Sequence, residues 1–476
     1  MNTFYWHDYE TWGANPAVDR PVQFAGVRTD MDLNIVGDPL MIFSRPSPDF
    51  LPHPDACLIT GITPQQALEE GVCEAEFIAA IHRELARPGT CGAGYNSIRF
   101  DDEVTRYTLY RNFYDPYARE WQNGNSRWDL IDVVRLCGAL RPEGIHWPVR
   151  EDGSPSYKLE TLSAANGLLH EAAHDALSDV YATIELAKLL KQRQPKLFDY
   201  ALTLRDKKVV ASLLDCQAQV PVFHVSGRLP AARYCSALVM PLAPHPSNKN
   251  SVIVYDLSVD PGPMLAMSAE EVSQRVFTAA DDLPEGEERI PLKEIHINRS
   301  PVVATARLLD EQSSARVGID LDQCRTHWKQ IRRTEGLTAK VQKVFAGRRF
   351  DGANDPDSDL YGGFFSDSDR KLMDALRRES PDALARKAFD FHDARLPELF
   401  WRYRARNFPE TLGAEELAQW REFCRQRLRH PEGGQLGFDG FRARLFELSS
   451  ASLSDHQRHI LDELNDYAEA LELEGL

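Results

Sequence analysis

Thr3-Phe4-Tyr5-Trp6-His7-Asp8-Tyr9-Glu10-Thr11 stands at the head of the chain, and the nature of the first domain hangs on it. Residues 3–7 are aromatic or β-branched, which favours a strand. In an extended chain, side chains two apart share a face, so Asp8 and Glu10 converge on one point at the strand's end. Two hard oxygen donors there suit Mg²⁺ or Mn²⁺. An Asp-x-Glu pair turns up by chance roughly once or twice in such a chain. Taken alone, a solvated strand end is the plainer reading, and the pair gains weight only from its company.

Working outward, residues 22–28 read as a second strand, and 91–96 (Cys-Gly-Ala-Gly-Tyr-Asn) as a strand end opening into a loop. Residues 74–86 and 175–190 carry apolar side chains at helical spacing. This alternation implies an α/β domain. Past the loop, Asn96 can tie down the turn, Phe100 can anchor it, and an aspartate at the next helix start can face the site or merely cap the helix. Spacing does not choose between Asp101 and Asp102. A third cluster spans 170–183. Asp179 shares a helical stripe with Ala176, Thr183, Leu186 and Leu190, where a carboxylate is costly unless paired or metal-bound. His174 lies five residues earlier, about 140° around an ideal helix, so it is expected in the preceding turn. His170 with Asp175 has the same spacing, but Asp175 is better placed as a helix cap.

The remainder bounds the class. With 476 residues, 43% hydrophobic and 27% charged, two or three globular domains are expected. No apolar run is long enough for a membrane span. The N-terminus lacks a basic stretch followed by an apolar core and does not read as a signal peptide. Eight scattered cysteines without a Cys-x-x-Cys pair read as reduced thiols of a cytoplasmic protein. A formal charge of −17 weighs against nucleic acid, yet net charge does not report the field in a groove.

After residue 195 the pattern changes. Short apolar runs at 220–225, 237–241, 251–257 and 295–306, separated by Pro, Gly and Asn, suit a β-rich domain. Residues 324–350 turn helical and basic, 351–359 read as a polar linker, and 372–473 as amphipathic helices. The expected domains are 1–194, 195–349 and 350–476.

Asp8-x-Glu10, Asn96-x-x-x-Phe100-Asp101 and His174-x-x-x-x-Asp179 together resemble the DEDDh exonucleases of the DnaQ-like superfamily. The chain is more similar still to the bacterial exonuclease I family, through 7–11 (His-Asp-Tyr-Glu-Thr), 58–64, 99–106, 111–117, 126–130, 224–227 (His-Val-Ser-Gly), 296–298, 363–367 and 403–409. The resemblance implies a ribonuclease H-like nuclease domain, an SH3-like β-rich domain and an all-α C-terminal domain. It implies a 3′→5′ exonuclease of single-stranded DNA, releasing 5′-mononucleotides, in DNA repair or recombination. It matches Asp101 rather than Asp102 to the third carboxylate. Asp8, Glu10, Asp101 and Asp179 would hold two Mg²⁺ ions (Mn²⁺ as a substitute), with His174 as general base. Glu10 and Lys158 are expected at the substrate. Lys158 departs from the Arg of close relatives, keeping charge but losing a bidentate grip.

For the single strand, a phosphate-tracking groove with aromatic faces is needed. Candidates are Arg106, Tyr117, Trp121, Trp128, Arg135, Asn250, Asn298 and Arg299, with core packing the competing role for the three aromatics. By the same resemblance the protein partner is the acidic C-terminal tail of single-stranded DNA-binding protein; a monomer is expected. Two other readings stand beside this one. A DEDDh exoribonuclease would usually stop after one nuclease domain, whereas this chain continues to residue 476. A catalytically inactive single-strand-binding scaffold would be marked by a lost metal carboxylate, and none is lost.

Overall fold

Strand β1 runs Thr3–Thr11, beyond the predicted 3–7, because β2 (Pro21–Thr29) pairs with it antiparallel along almost its whole length. The computed structural model describes residues 2–168, 176–347 and 352–476. These fall into two units: Met1–Ser126, His170–Tyr181 and Asp351–Leu476 in the first, Arg127–Leu169 and Ala182–Phe350 in the second.

In the first unit the strands lie in the order β3 (Leu40–Phe43), β2, β1, β4 (Thr90–Gly94). β4 is parallel to β1, with Trp6 opposite Ala93. Every residue of β2 is buried, as expected of a strand covered on both faces. Tyr5, Tyr9 and Phe24 meet Phe77, Ile78, Ile81, Val104 and Leu109 in one core. That core seats the helices Glu74–Leu85 and Asp101–Arg111 on the sheet.

The C-terminal helices share a second core with this region: Trp12, Val22 and Phe43 pack with Trp420, Leu428, Phe441 and Leu464. The stretch 351–359, expected as a polar linker, instead carries a buried acid. Asp357 and Asp49 lie deep among Arg20, Arg402, Arg406 and Arg427. Those pairs hold both carboxyls below the usual range against the opposing effect of burial. The polar composition of the stretch thus reflects ion pairing rather than solvation.

In the second unit, β5 (Ser126–Asp129) leads into the helix Leu130–Leu140, which Asp129 caps by accepting from the Ile131 N–H. Five antiparallel strands follow: β6 (Val222–Val225), β7 (Ser236–Pro244), β8 (Ser251–Asp256), β9 (Leu292–His296) and β10 (Val302–Thr305). Their order is β10-β6-β7-β8-β9. The apolar run 295–306 divides into β9 and β10 at a turn where Ser300 has φ 44°. The basic stretch is two helices, Leu321–Arg332 and Leu337–Ala346, broken at Gly336 with φ 73°, a conformation glycine adopts without steric cost. Among the described residues no helix is long and apolar enough to cross a membrane.

Candidate active site

β4 ends at Gly94, so the far end of β1 has no strand beside it on that edge. The chain uses the gap. Asn96 turns it with φ 63°, a left-handed conformation that Asn tolerates, and the helix Asp101–Arg111 begins there. The Asp101 carboxylate accepts the Tyr9 N–H at 3.1 Å, taking the place of a ladder partner. Asp101 therefore faces β1 between Asp8 and Glu10, and the helix's N-cap is Phe100, without a side-chain cap bond. Asp102 points to a different partner. It pairs with Arg119 at 2.5 Å, both groups fully enclosed.

The two adjacent aspartates thus do different work, and Arg119, which is absent from the sequence candidates, is what separates them. No motif spacing signals it, because the pair bridges a helix start and a loop. Asp102→Asn is expected to cost roughly 3–5 kcal/mol of stability, the usual result of leaving a buried charge uncompensated. A urea midpoint unchanged from wild type would show that Arg119 finds another partner.

Asp179 lies in the first turn of the helix Ala176–Arg193. Oxygens of Asp8, Glu10 and Asp179 come within 4.8 Å of one another, and all three residues are half-buried. Burial pushes the Asp8 carboxyl well above the usual range, and the charges of Asp101, Glu10 and Asp179 push it further. A site that concentrates mutually repelling carboxylates in this way is stabilised by a divalent cation, and hard oxygen donors fit Mg²⁺ or Mn²⁺. The donor set therefore fits the metal. His174, with its rival His170 and Asp175, lies outside the described residues. His7, beside the cluster in sequence, is a buried residue whose Nδ1 faces the Tyr5 carbonyl, and burial pushes it down to about 4.

The expected DNA contacts divide by surroundings. In the first unit Arg106 is enclosed, bonded to Glu120 and Glu103 at 2.7 Å each, and lies over the Tyr117 ring. Tyr117 in turn meets Phe364 edge-on at 5.8 Å. Phe364 is 84% exposed and Trp121 65%, so both offer ring faces to solvent. In the sequence Phe364 is one letter of a family string among 363–367, and its exposure is a signal that string does not carry.

In the second unit Trp128 is a core residue. Its ring packs on Phe198, and its Nε1–H donates to the Ala201 carbonyl. Core packing, the competing role, is the one it fills: the ring is 1% exposed and held by Phe198 and the Ala201 carbonyl. Arg135 pairs with Asp132 at 2.6 Å and lies against Gly227, where a β-carbon would come within 2.9 Å of its guanidinium. Lys158 is exposed, immediately before the helix Leu159–Ala165. Asn250, Asn298 and Arg299 gather at one end of the β8–β9 ladder: the Ile297 N–H donates to the Asn250 carbonyl at 2.8 Å, and Arg127 donates to the Asn298 carbonyl at 3.3 Å.

Three family models match the chain in succession: an exonuclease domain over residues 5–187, an exonuclease I SH3-like domain over 205–347, and an exonuclease I C-terminal domain over 354–471. Exodeoxyribonuclease I of Escherichia coli strain K12 is 48% identical over 427 residues, covering 90% of each chain. A solved exonuclease I from Methylocaldum szegediense superposes with a TM-score of 0.96 at 51% identity, over 99% of this chain and all of that one. The zinc-bound E. coli enzyme in complex with single-stranded DNA gives 0.94 at 45%, with the same coverage. A structure of single-stranded DNA-binding protein with exonuclease I gives 0.91 at 44%, again over 99% and 100%.

Proposed function

Because this chain belongs to the exonuclease I family, we propose that Asp8, Glu10, Asp101 and Asp179 perform its reaction: 3′→5′ hydrolysis of single-stranded DNA. The observation that carries the assignment of the site is the convergence of the Asp8, Glu10 and Asp179 oxygens within 4.8 Å at the end of β1. The chain is an exodeoxyribonuclease and uses a divalent metal. Two Mg²⁺ ions are the proposed complement, with Mn²⁺ as a substitute. Such ions, when bound, activate the attacking water and neutralise charge on the leaving 3′ oxygen.

The chain's own groups do the rest. Asp8, Glu10, Asp101 and Asp179 fix the ions. His174 takes the proton from the water, and Glu10 and Lys158 bear on the terminal nucleotide. Tyr117, Trp121 and Phe364 offer ring faces to unstacked bases in the first unit. Arg135, Asn250, Asn298 and Arg299 meet the strand in the second. Aromatic faces select single strands because stacked duplex bases present none. Residues 1–194, 195–349 and 350–476 are proposed as the domain bounds, in keeping with where the family models begin and end. The acidic tail of single-stranded DNA-binding protein is the proposed protein ligand, given the solved complex of that protein with a relative. A monomer acting in the cytoplasm, in repair or recombination, completes the reading.

The test is incubation with 5′- and 3′-labelled single-stranded DNA, in Mg²⁺ or EDTA, beside duplex DNA and RNA. Mg²⁺-dependent release of mononucleotides from the 3′ end, with duplex and RNA spared, is expected. Binding without cleavage would instead mark a scaffold, and preferential loss of RNA an exoribonuclease. Retention of all four carboxylates speaks against the scaffold.

A further inference from the structure

Trp12 and Arg20 each bury a donor that finds no acceptor in the protein: Trp12 Nε1 and Arg20 Nη1. Trp12 is 1% exposed and Arg20 5%. Arg20 Nη1 lies 3.5 Å from Glu74 Oε2, in ion-pair range but without a hydrogen bond. Such orphans cost on the order of 1–3 kcal/mol each when left unmade, so their pairing calls for a physical cause.

Both residues line the same small cavity of about 20 Å³, which sits where the β1–β2 turn meets the C-terminal helix Arg395–Asn407. Its charged walls are Arg20, Arg45 and Arg406 against Glu74 alone. Behind it lies the arginine cluster of the first unit, where five enclosed guanidinium groups (Arg20, Arg111, Arg402, Arg406, Arg427) face three enclosed carboxylates, Asp49, Glu74 and Asp357. Asp355 and Glu398 join only from the more exposed rim. Among the enclosed groups guanidinium thus outnumbers carboxylate, and Glu74, 3.5 Å from Arg20 Nη1, is the one acid that lines the cavity.

We propose that this cavity is a binding site for one small monovalent anion of the halide class, held by the Trp12 and Arg20 N–H groups. The volume admits a single occupant of water or chloride size. For a water molecule the acceptors on offer are chiefly the Ser44 and Ser47 hydroxyls. Glu74 already accepts from Arg111 and Asn112, and Asn407 Oδ1 from the Ala75 N–H. An anion needs only donors, and donors are what the walls leave over. The strain it would relieve is visible at Arg20, where burial and the neighbouring Arg111 and Arg406 push the guanidinium down to about 9. The site is remote in chemistry from the carboxylate cluster, and an anion there would stabilise the joint between the nuclease strands and the C-terminal helices.

The test is diffraction at the bromine absorption edge from crystals of the full chain grown in sodium bromide. Thermal unfolding runs beside it, in chloride and in gluconate at equal ionic strength. Gluconate is too large for the cavity. An anomalous peak touching Trp12 Nε1 and Arg20 Nη1 is expected, with a saturable rise in Tm of roughly 2–4 °C in chloride over gluconate. Trp12→Phe keeps an aromatic ring in that core and removes the donor, and should lose both the peak and the chloride effect while still folding. A cavity without bromine signal overturns the proposal. So does equal Tm in the two salts together with a peak that persists undiminished in Trp12→Phe.

Discussion

Asp8→Asn is expected to give a folded protein that still binds single-stranded DNA, has lost at least about a thousandfold in turnover, and yet melts higher than wild type in EDTA. The loss of turnover follows from what bound metal contributes, several kcal/mol of charge stabilisation, at a tenfold change in rate for each 1.4 kcal/mol or so. The gain in stability follows from the same carboxylate. Burial and the charges of Asp101, Glu10 and Asp179 raise the Asp8 carboxyl well above its ordinary value. A group whose folded-state pKa is raised contributes stability fully present below its unfolded pKa, and that contribution is lost as pH rises through the folded value. As pH rises through that folded value the metal-free wild type takes on the repulsion, and the amide never does. Saturating Mg²⁺ should reverse the order, because only the intact site gains by binding the ion. A calorimetric scan of both proteins, in EDTA and in Mg²⁺, checks the claim. A variant that melts lower than wild type in EDTA would mean that Asp8 is held by favourable contacts rather than strained by its neighbours.

The same carboxylates mark how far residues alone can be read. Asp8 and Glu10 were legible because the period of a strand puts i and i+2 on one face, and Asp179 because an acid on an apolar stripe needs a reason. The alternation of strand-like and helical stretches then pointed to an α/β segment, and the resemblance of the three motifs to the DEDDh exonucleases to a nuclease. The choice between Asp101 and Asp102 was not legible from spacing, because it depends on Arg119, which approaches from a separate loop and has no fixed offset. Trp128 shows the complementary limit. An aromatic residue in a nucleic-acid enzyme offers the same letters whether it stacks on a base or on Phe198, and only burial distinguishes them. The stretch 351–359 misled for a third reason. Composition reads Asp357 as a solvated loop acid, while its arginine partners lie at positions 20, 402, 406 and 427, far away in sequence. Local pattern carries what is decided locally, and long-range ion pairing is not.

His174→Ala is expected to lower kcat by roughly 10²–10⁴, the range a positioned general base supplies, while binding of single-stranded DNA and of metal persists. Labour in the site is divided. The carboxylates are committed to holding charge, and repelling acids at neutral pH make poor proton acceptors for water while ligating a cation. An imidazole, with an unperturbed pKa near 6.5, is the side chain suited to take that proton. In wild type the rate should therefore fall on the acid side as the base is protonated. In His174→Ala the residual rate should lose that limb, a change that a purely structural histidine would not produce. His170→Ala is the control, since His170 and Asp175 repeat the His174–Asp179 spacing one register earlier. The variant at 170 should keep near-wild-type turnover and the acid limb. Single-turnover kinetics across pH on the three proteins separates the cases. An intact acid limb in His174→Ala, or its loss in His170→Ala, would move the base to the other histidine and with it the register of the helix that carries Asp179.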